Sequence, residues 1–469
     1  MKPIYQFFAF VTVILFCSCT SGSFDIVIKG GQVMDPDSGL DDVRNIGIQG
    51  GKIVIVTQDK ITGKRIINAD GLVVSPGFID LHDHGQNEEA FRFKALDGVT
   101  SAFELEVGTG DVAKWYIERD ESQFIHYGVS IGHIPVRMIV TGDEGDFLPS
   151  GPAKTVVASE SQIAEMTRRF EEGLNQGAVA VGFGIAYTPA ATVEEFEEML
   201  RVASQYNASA HIHVRGGLDG LREAITGAAN TGTALHVVHA NSSGAEQTAE
   251  FLAIIEEARA AGQDVTTEAY PYSASQTYIE SALFDDWKTW EPERYQIFQW
   301  VNTGERLSRQ SFAQYRAMGG IVIVHQRTEA MTRTAIESPL TMIASDGHIE
   351  NGRGHPRGSG SYARVLGRYV RDEGILDLMD ALRRMTIEPA RRLEARVPAM
   401  QTKGRIYAGA DADLTIFDPE TVIDRATYTN GAVPSEGFRY VLVNGVPIVD
   451  GGRFVEDVRP GRPIRVDEH

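Results

Sequence analysis

The sequence predicts an α/β fold, a (β/α)8 TIM-like barrel carrying a small β-sandwich built from both termini. Three observations lead there. Short apolar strand-like runs alternate with amphipathic helix patterns through the centre of the chain. Both ends read as β alone. Histidines and acids stand at the C-terminal ends of several central strands, where such a barrel gathers its functional side chains.

At 469 residues the chain exceeds one ordinary domain, and one large barrel with a small companion accounts for it. The formal net charge of -20 argues against a nucleic-acid partner, which rewards basic surfaces. It leaves room for an anionic substrate held by a local arginine.

The first element is a leader. Lys2 precedes an apolar run from Phe7 to Cys17, too short to span a bilayer as a helix and suited to the core of a signal peptide. With Ser18, Cys19, Thr20, Ser21 and Gly22 following, the start resembles a bacterial lipoprotein signal. Residues 1–18 are then removed, Cys19 carries lipid and 19–23 form a linker. A plain secretion signal cut nearby is the alternative. The expected location is the bacterial cell envelope, with membrane attachment through the lipid only. Cys17 and Cys19 are the only cysteines, so the mature chain has no internal disulfide and no cysteine metal ligand.

Residues 24–72 hold β runs at Asp25 to Gly31, Ile46 to Ile48 and Lys52 to Val56, separated by glycines and Asp-Pro turns. Residues 403–469 repeat that character at Ala412 to Pro419 and Val441 to Val449, so the two ends are expected to form the sandwich together. Between them, 73–402 offers eight strands, at 73–82, 99–107, 129–136, 178–185, 208–214, 234–240, 264–270 and 340–346. Helix patterns fall at 159–176, 193–206 and 245–262. Roughly seventy residues between the seventh and eighth strands exceed a plain connection. They read as an inserted subdomain or lid at about 273–338, including the apolar run Ile321 to Val324. Its Trp287, Trp290 and Trp300 are expected to pack, with pocket lining as the alternative.

The strand ends carry the chemistry. His82 and His84 lie two apart at the end of strand one, so both imidazoles point to one side and can share a divalent metal. Strand two ends with Glu104 and Glu106 on one face. Acids in an apolar strand are costly unless a cation meets them, and a metal supplies that charge. Glu106, nearer the rim, is the expected ligand and Glu104 the alternative; a buried arginine partner is the reading without a metal. Strand five offers His211 and His213, and strand six offers His236 and His239. The rim residues His213 and His239 are the expected ligands, with His211 and His236 packed. Strand eight closes on Asp346, read as catalytic rather than as a turn residue.

Together these put His82, His84, Glu106, His213 and His239 around one or two divalent ions, with Asp346 opposite. Zinc suits mixed imidazole and carboxylate donors; manganese, iron and cobalt remain compatible. Such an ion brings the pKa of water from about 15.7 towards about 7, and a neighbouring carboxylate can pass its proton to a leaving amine. That chemistry is hydrolysis.

With those residues in view, the chain resembles the amidohydrolase superfamily and, within it, the D-aminoacylase group of N-acyl-D-amino-acid deacylases. The similarity runs from about Phe24 to the C-terminal region. It rests on Ser75 to His84, Gly98 to Thr100, Gly132 to Arg137, His213 to Arg215, Tyr270 to Tyr272, Ser345 to Gly347 and His355 to Arg357. The tail at Met385 to Arg391, Gly404 to Ile406 and Gly409 to Leu414 is similar to the family's return into the sandwich.

The resemblance implies that His82 and His84 hold the more exposed metal and that His213 and His239 hold the other. A strand-two residue would bridge them, with Asp346 as general acid and base. Many members bridge with cysteine and others with a carboxylated lysine from strand four; this chain has neither, which favours Glu106. The resemblance also implies that Arg357 and Tyr270 contact the substrate carboxylate. Tyr187 is expected as a substrate contact, with His133 and Arg215 close around the site. Asn241 stands where members often carry a lysine.

The expected function is therefore a metal-dependent amidohydrolase cleaving a C–N amide bond, foremost a deacylase of N-acyl-D-amino acids or related peptides. A cyclic-amide hydrolase (dihydroorotase- or hydantoinase-like) or a D-peptide hydrolase is the alternative. A non-catalytic binding lipoprotein is the remote one. The expected partner is a small N-acyl amino acid or related amide, and the sequence assigns no oligomeric state.

Overall fold

The computed structural model describes residues 23–119 and 122–466; the expected signal peptide and Cys19 lie outside them. From the N-terminal side come β1 (Phe24–Asp35), β2 (Leu40–Gln49), β3 (Lys52–Thr57), β4 (Gly63–Asn68) and β5 (Val73–Pro76). The centre supplies β6 (Phe78–Asp80), β7 (Val99–Thr109), β8 (His126–Gly132), β9 (Val181–Gly184), β10 (Ala210–His213), β11 (Leu235–Val237) and β12 (Val265–Ala269). The insertion adds β13 (Ser275–Tyr278), β14 (Phe298–Trp300) and β15 (Ile321–Val324), followed by β16 (Thr341–Ile343). A small hairpin, β17 (Ile349–Glu350) and β18 (Arg353–Gly354), precedes β19 (Leu414–Phe417), β20 (Phe438–Val443), β21 (Val446–Asp450) and β22 (Arg453–Phe454).

Eight strands run parallel in the order β16-β12-β11-β10-β9-β8-β7-β6, with helices such as Glu160–Asn175 and Val193–Gln205 between them. Among the described residues no ladder joins β6 to β16. The ring closes at its C-terminal rim instead: the Asp346 amide donates to His82 O at 2.8 Å and the His84 amide to Gly347 O at 2.8 Å. Behind that seam the buried Lys94 ammonium lies 2.7 Å from Asp80, and Asp80 accepts the Ser345 amide at 3.1 Å.

Both ends of the chain pair into one nine-stranded sheet, β22-β21-β20-β19-β5-β1-β2-β3, with β4 also on β1. The sheet folds over itself, the Ile53 amide reaching Ala410 O at 3.0 Å and the Ala412 amide Gly51 O at 2.9 Å. Ile26, Ile28, Ile46, Ile48, Leu414 and Ile416 fill the space enclosed.

Two strands differ from expectation. The first, read as 73–82, is two elements: β5 pairs with β1 and β19 in the terminal sheet, and β6 with β7 in the barrel. Gly77 is the pivot; its amide donates to Asp413 O at 2.8 Å, and a Cβ there would lie 2.2 Å from Thr100 Oγ1. The third, read as 129–136, ends at Gly132, and His133–Thr141 is helical. Pro135 sits in that helix's first turn, where its missing N–H is no loss.

The insertion forms its own antiparallel sheet, β13-β15-β14. Trp290 stacks on Phe298 with ring centroids 5.5 Å apart, and Trp300 on Tyr315 at 4.3 Å. These tryptophans build a local aromatic core rather than the wall of a pocket.

A buried triad locks the terminal sheet to the barrel. Lys403 Nζ lies 2.6 Å from Asp413 and 3.1 Å from His126 Nε2, and Asp413 also accepts the Asn444 amide at 2.7 Å. Burial would raise the Asp413 pKa, but Lys403 and His126 hold it well below the usual carboxylate range. Its folded pKa is depressed, so its stabilisation is complete above pH about 4 and is lost as the pH falls further. Lys403→Met, which strands that carboxylate, is expected to cost about 3 kcal/mol in urea denaturation at neutral pH. Adding Asp413→Asn should recover much of the loss.

Candidate metal centre

Each cluster residue is positioned by a strand end. His82 and His84 follow β6, and their Nε2 atoms converge to 3.1 Å. The His82 Nδ1–H donates to Glu268 at 2.6 Å and the His84 Nδ1–H to Glu104 at 2.7 Å. A carboxylate only accepts, so both Nε2 lone pairs are left free for a metal. Asp346 Oδ1 completes a triangle, 3.6 Å from His82 Nε2 and 3.4 Å from His84 Nε2.

Glu106 stands in a bulge. Glu104 pairs with Val129 and Thr109 with Ile131, so four β7 residues arch past one residue of β8. The arch crosses two glycines: a Cβ at Gly132 would lie 1.8 Å from Val107 O, and one at Gly182 2.5 Å from Glu106 O. Glu106 thereby reaches both histidine pairs. Its Oε2 is 2.8 Å from His82 Nε2 and 3.5 Å from His239 Nε2, and its Oε1 is 3.2 Å from His213 Nδ1. Burial would raise its pKa, but His213, His239 and His82 hold it well below the carboxylate range.

Backbone strain marks two of these positions. His239 has φ of 37° and Asp346 φ of 52°, left-handed values that L-residues adopt at a cost. At the end of β11 and beyond β16, this conformation accompanies His239 and Asp346 side chains directed at the same centre.

Two donor sets result: His82, His84 and Asp346, and Glu106, His213 and His239, with each set's donor atoms within 4.8 Å of one another. A tetrahedral ion with bonds near 2.1 Å separates its ligands by about 3.4 Å. The edges of 3.1, 3.4 and 3.6 Å in the first set fit that spacing. The buried carboxylates also call for positive charge. Burial pushes the His84 imidazole down, yet Glu104 and Asp346 raise it to about 10.

Every residue expected around the ions is therefore brought together. Glu104 is turned to the far nitrogen of His84, and its Oε1 accepts the Val107 amide at 3.1 Å. His211 packs against the His236 ring at 4.7 Å. Tyr187 lines the cavity with its ring 4.9 Å from His213, and Arg357 lies 2.8 Å from Asp346 under the Tyr270 ring. Tyr270 is buried, its hydroxyl accepting from Arg327. His133 and Arg215 stand apart: His133 and Arg137 bind Glu195, and Arg215 pairs with Glu223.

Sequence reasoning missed Glu268. Its carboxylate joins His82 to His236, the latter at 3.0 Å, and although burial would raise its pKa, His82 and His236 hold it at about 2. A weaker signal was available, since Glu268 is an acid inside the strand-like run Val265–Ala269, although two threonines make that run less apolar than the one holding Glu104 and Glu106. Arg327 was also missed, because nothing in its loop hints that it turns inward.

The cluster lies at the floor of a cavity of about 240 Å³ whose upper wall comes from the insertion and from Phe147 and Leu148. Comparison with known proteins agrees with this architecture. A model of the amidohydrolase family matches residues 73–448. An N-acyl-D-glutamate deacylase of Alcaligenes xylosoxydans xylosoxydans is 29% identical over 94% of this chain and 97% of its own length. A D-aminoacylase of the same organism is 27% identical over 91% of this chain and 95% of its own. The crystal structure of N-acyl-D-glutamate deacylase from Bordetella bronchiseptica superposes with a TM-score of 0.82 at 25% identity, covering 95% of this chain and all of that one. That structure holds zinc and a phosphonate inhibitor described as a mimic of the reaction's tetrahedral intermediate.

Glu268→Gln removes the charge that orients His82. Zinc affinity, measured by chelator competition, should fall about 10- to 100-fold while the circular dichroism spectrum stays unchanged.

Proposed function

The chain belongs to the amidohydrolase family, and from that premise we propose that it deacylates N-acyl-D-amino acids or closely related amides. It is a hydrolase of C–N bonds other than ordinary peptide bonds. One observation carries the finer reading: Glu106 stands between two histidine pairs, with Asp346 beside them, at the floor of a cavity of amino-acid size. The deacylase names of the relatives support it.

His82, His84, Glu106, His213 and His239 are the assigned ligands of one or two divalent ions, zinc foremost. Such an ion, when bound, supplies Lewis-acid polarisation of the amide carbonyl and lowers the pKa of water to about 7. The chain's residues do the rest. Glu268 and Glu104 hold the protons on Nδ1 of His82 and His84, fixing both rings. Asp346 stays ionised: burial would raise its pKa, but Arg357, His82 and the His84 hydrogen bond hold it well below the usual range. It therefore can take the proton of the attacking water and return it to the leaving nitrogen. Arg357 and Tyr270 receive the substrate carboxylate, and Tyr187 contacts the substrate at the cavity wall.

For the segment before the described residues we propose removal of 1–18 and lipid on Cys19. The apolar run from Phe7 to Cys17 and the Ser18-Cys19 junction support this. Export to the bacterial cell envelope follows, with attachment through the lipid.

Asp346→Asn keeps an oxygen donor beside His82 and His84, so it should retain zinc by metal analysis while losing about 10³-fold in kcat. Wild-type enzyme should hydrolyse N-acyl-D- but not N-acyl-L-amino acids; turnover confined to cyclic amides would transfer the reading to that class. Cys19→Ala should move the protein from the membrane to the soluble fraction, and retention there would remove the anchor.

A further inference from the structure

Above the metal centre the cavity wall is mixed, with Phe147, Leu148, Ile321 and Val324 apolar and Ser275, Gln276, Thr277, Gln326 and His348 polar. Two guanidinium groups interrupt it. Arg357 is paired with Asp346, its Nη2 lying 2.8 Å away and donating to Gln276 O at 3.3 Å, while its Nε and Nη1 are buried without acceptors. Arg327, carried in by the insertion just after β15, is different. Its Nη1 donates to the Tyr270 hydroxyl at 3.1 Å and its Nη2 to Ser242 Oγ at 2.5 Å. Its Nε is buried without an acceptor, and among the described residues no carboxylate pairs with it. The carboxylates that line the cavity, Glu106 and Asp346, both belong to the metal centre.

A guanidinium cannot shed its proton, and neutral hydroxyls leave its charge uncompensated. A carboxylate is its natural complement, through charge-assisted and often paired hydrogen bonds. Arg327 and Arg357 meet at the same tyrosine: the first bonds its hydroxyl, and the second lies 4.6 Å over its ring. Both cations thus converge on one anion position.

Resting on the deacylase reading above, we infer that Arg327 binds the substrate's α-carboxylate beside Tyr270, leaving the rest of the cavity to the side chain. Because no lysine or further arginine among the described residues lines the cavity, the preferred substrates are then N-acyl derivatives of neutral D-amino acids rather than of D-glutamate or D-aspartate. The insertion acts as the specificity element, since it contributes both the anchoring charge and a large part of the wall.

The test compares zinc-loaded wild type, Arg327→Met and Arg327→Lys on N-acetyl-D-leucine, its neutral carboxamide and N-acetyl-D-glutamate. Wild type should favour N-acetyl-D-leucine over N-acetyl-D-glutamate by more than about tenfold in kcat/KM. Arg327→Met should raise KM for N-acetyl-D-leucine about 100-fold with little change in kcat, and leave the carboxamide unaffected. Arg327→Lys should recover part of the loss. Equal damage to acid and carboxamide would reduce Arg327 to a packing residue and overturn the inference, with deacylation itself intact. A wild-type preference for N-acetyl-D-glutamate would overturn it as well. Failure of wild type on every N-acyl-D-amino acid would sink the deacylase reading, and this inference with it.

Discussion

Four carboxylates buried at one end of the barrel, Glu104, Glu106, Glu268 and Asp346, impose the constraint that the rest of the site answers. An ionised carboxylate alone in an apolar interior costs more than a domain's whole net stability. Each is therefore met by a cationic or hydrogen-bonding group: Glu268 by His82 and His236, Glu104 by His84, Asp346 by Arg357, and Glu106 by both histidine pairs. Imidazoles oriented by carboxylates on one nitrogen and open on the other form a donor set matched to zinc. The residues that answer the electrostatic problem are the candidate metal donors and their orienting partners.

Backbone geometry serves that cluster. Parallel strands end at one rim, and the seam between β6 and β16 closes there through the amides of His84 and Asp346. Closing the barrel and aiming its donors are thus one act. Gly132 and Gly182 give β7 the space to arch Glu106 inward, and His239 and Asp346 accept left-handed backbone to direct theirs. Local strain of this kind persists only in a surrounding that over-determines it, which the packed strands and the buried Lys94–Asp80 pair provide.

The outer cavity is built from less regular parts, each tied down. Arg137, clasped by Glu195, donates to Ala153 O at 2.7 Å, and Asp143 accepts the amides of Gly145, Ser150, Gly151 and Ala153. That loop carries Phe147 and Leu148. Opposite it, the aromatic core of the insertion stiffens a wall that loop backbone alone would leave mobile. The candidate metal donors sit at strand ends, while the outer cavity wall comes from a loop and the insertion.

The sequence by itself determined the alternating architecture and which side chains stand at strand ends. Hydrophobic period, His-x-His spacing and acids in apolar strands are local signals, legible without a fold; Glu106, His213, His239 and Asp346 were found that way. The division of 73–82 between two sheets was not legible, because an apolar run looks the same whichever sheet it joins, and only pairing with β19 from the far end of the chain decides it. The helix from His133 was hidden by apolar residues that suit a buried strand equally well. Glu268 gave a local signal that went unread, but its task, orienting His82 from 186 residues away, exists only once the barrel closes. Arg327 gave none, being one arginine among many until the insertion folds back and sets it beside Tyr270. Residue type and period determined what the chain could hold; long-range pairing decided which groups would meet, because contacts between distant segments leave no trace in local pattern.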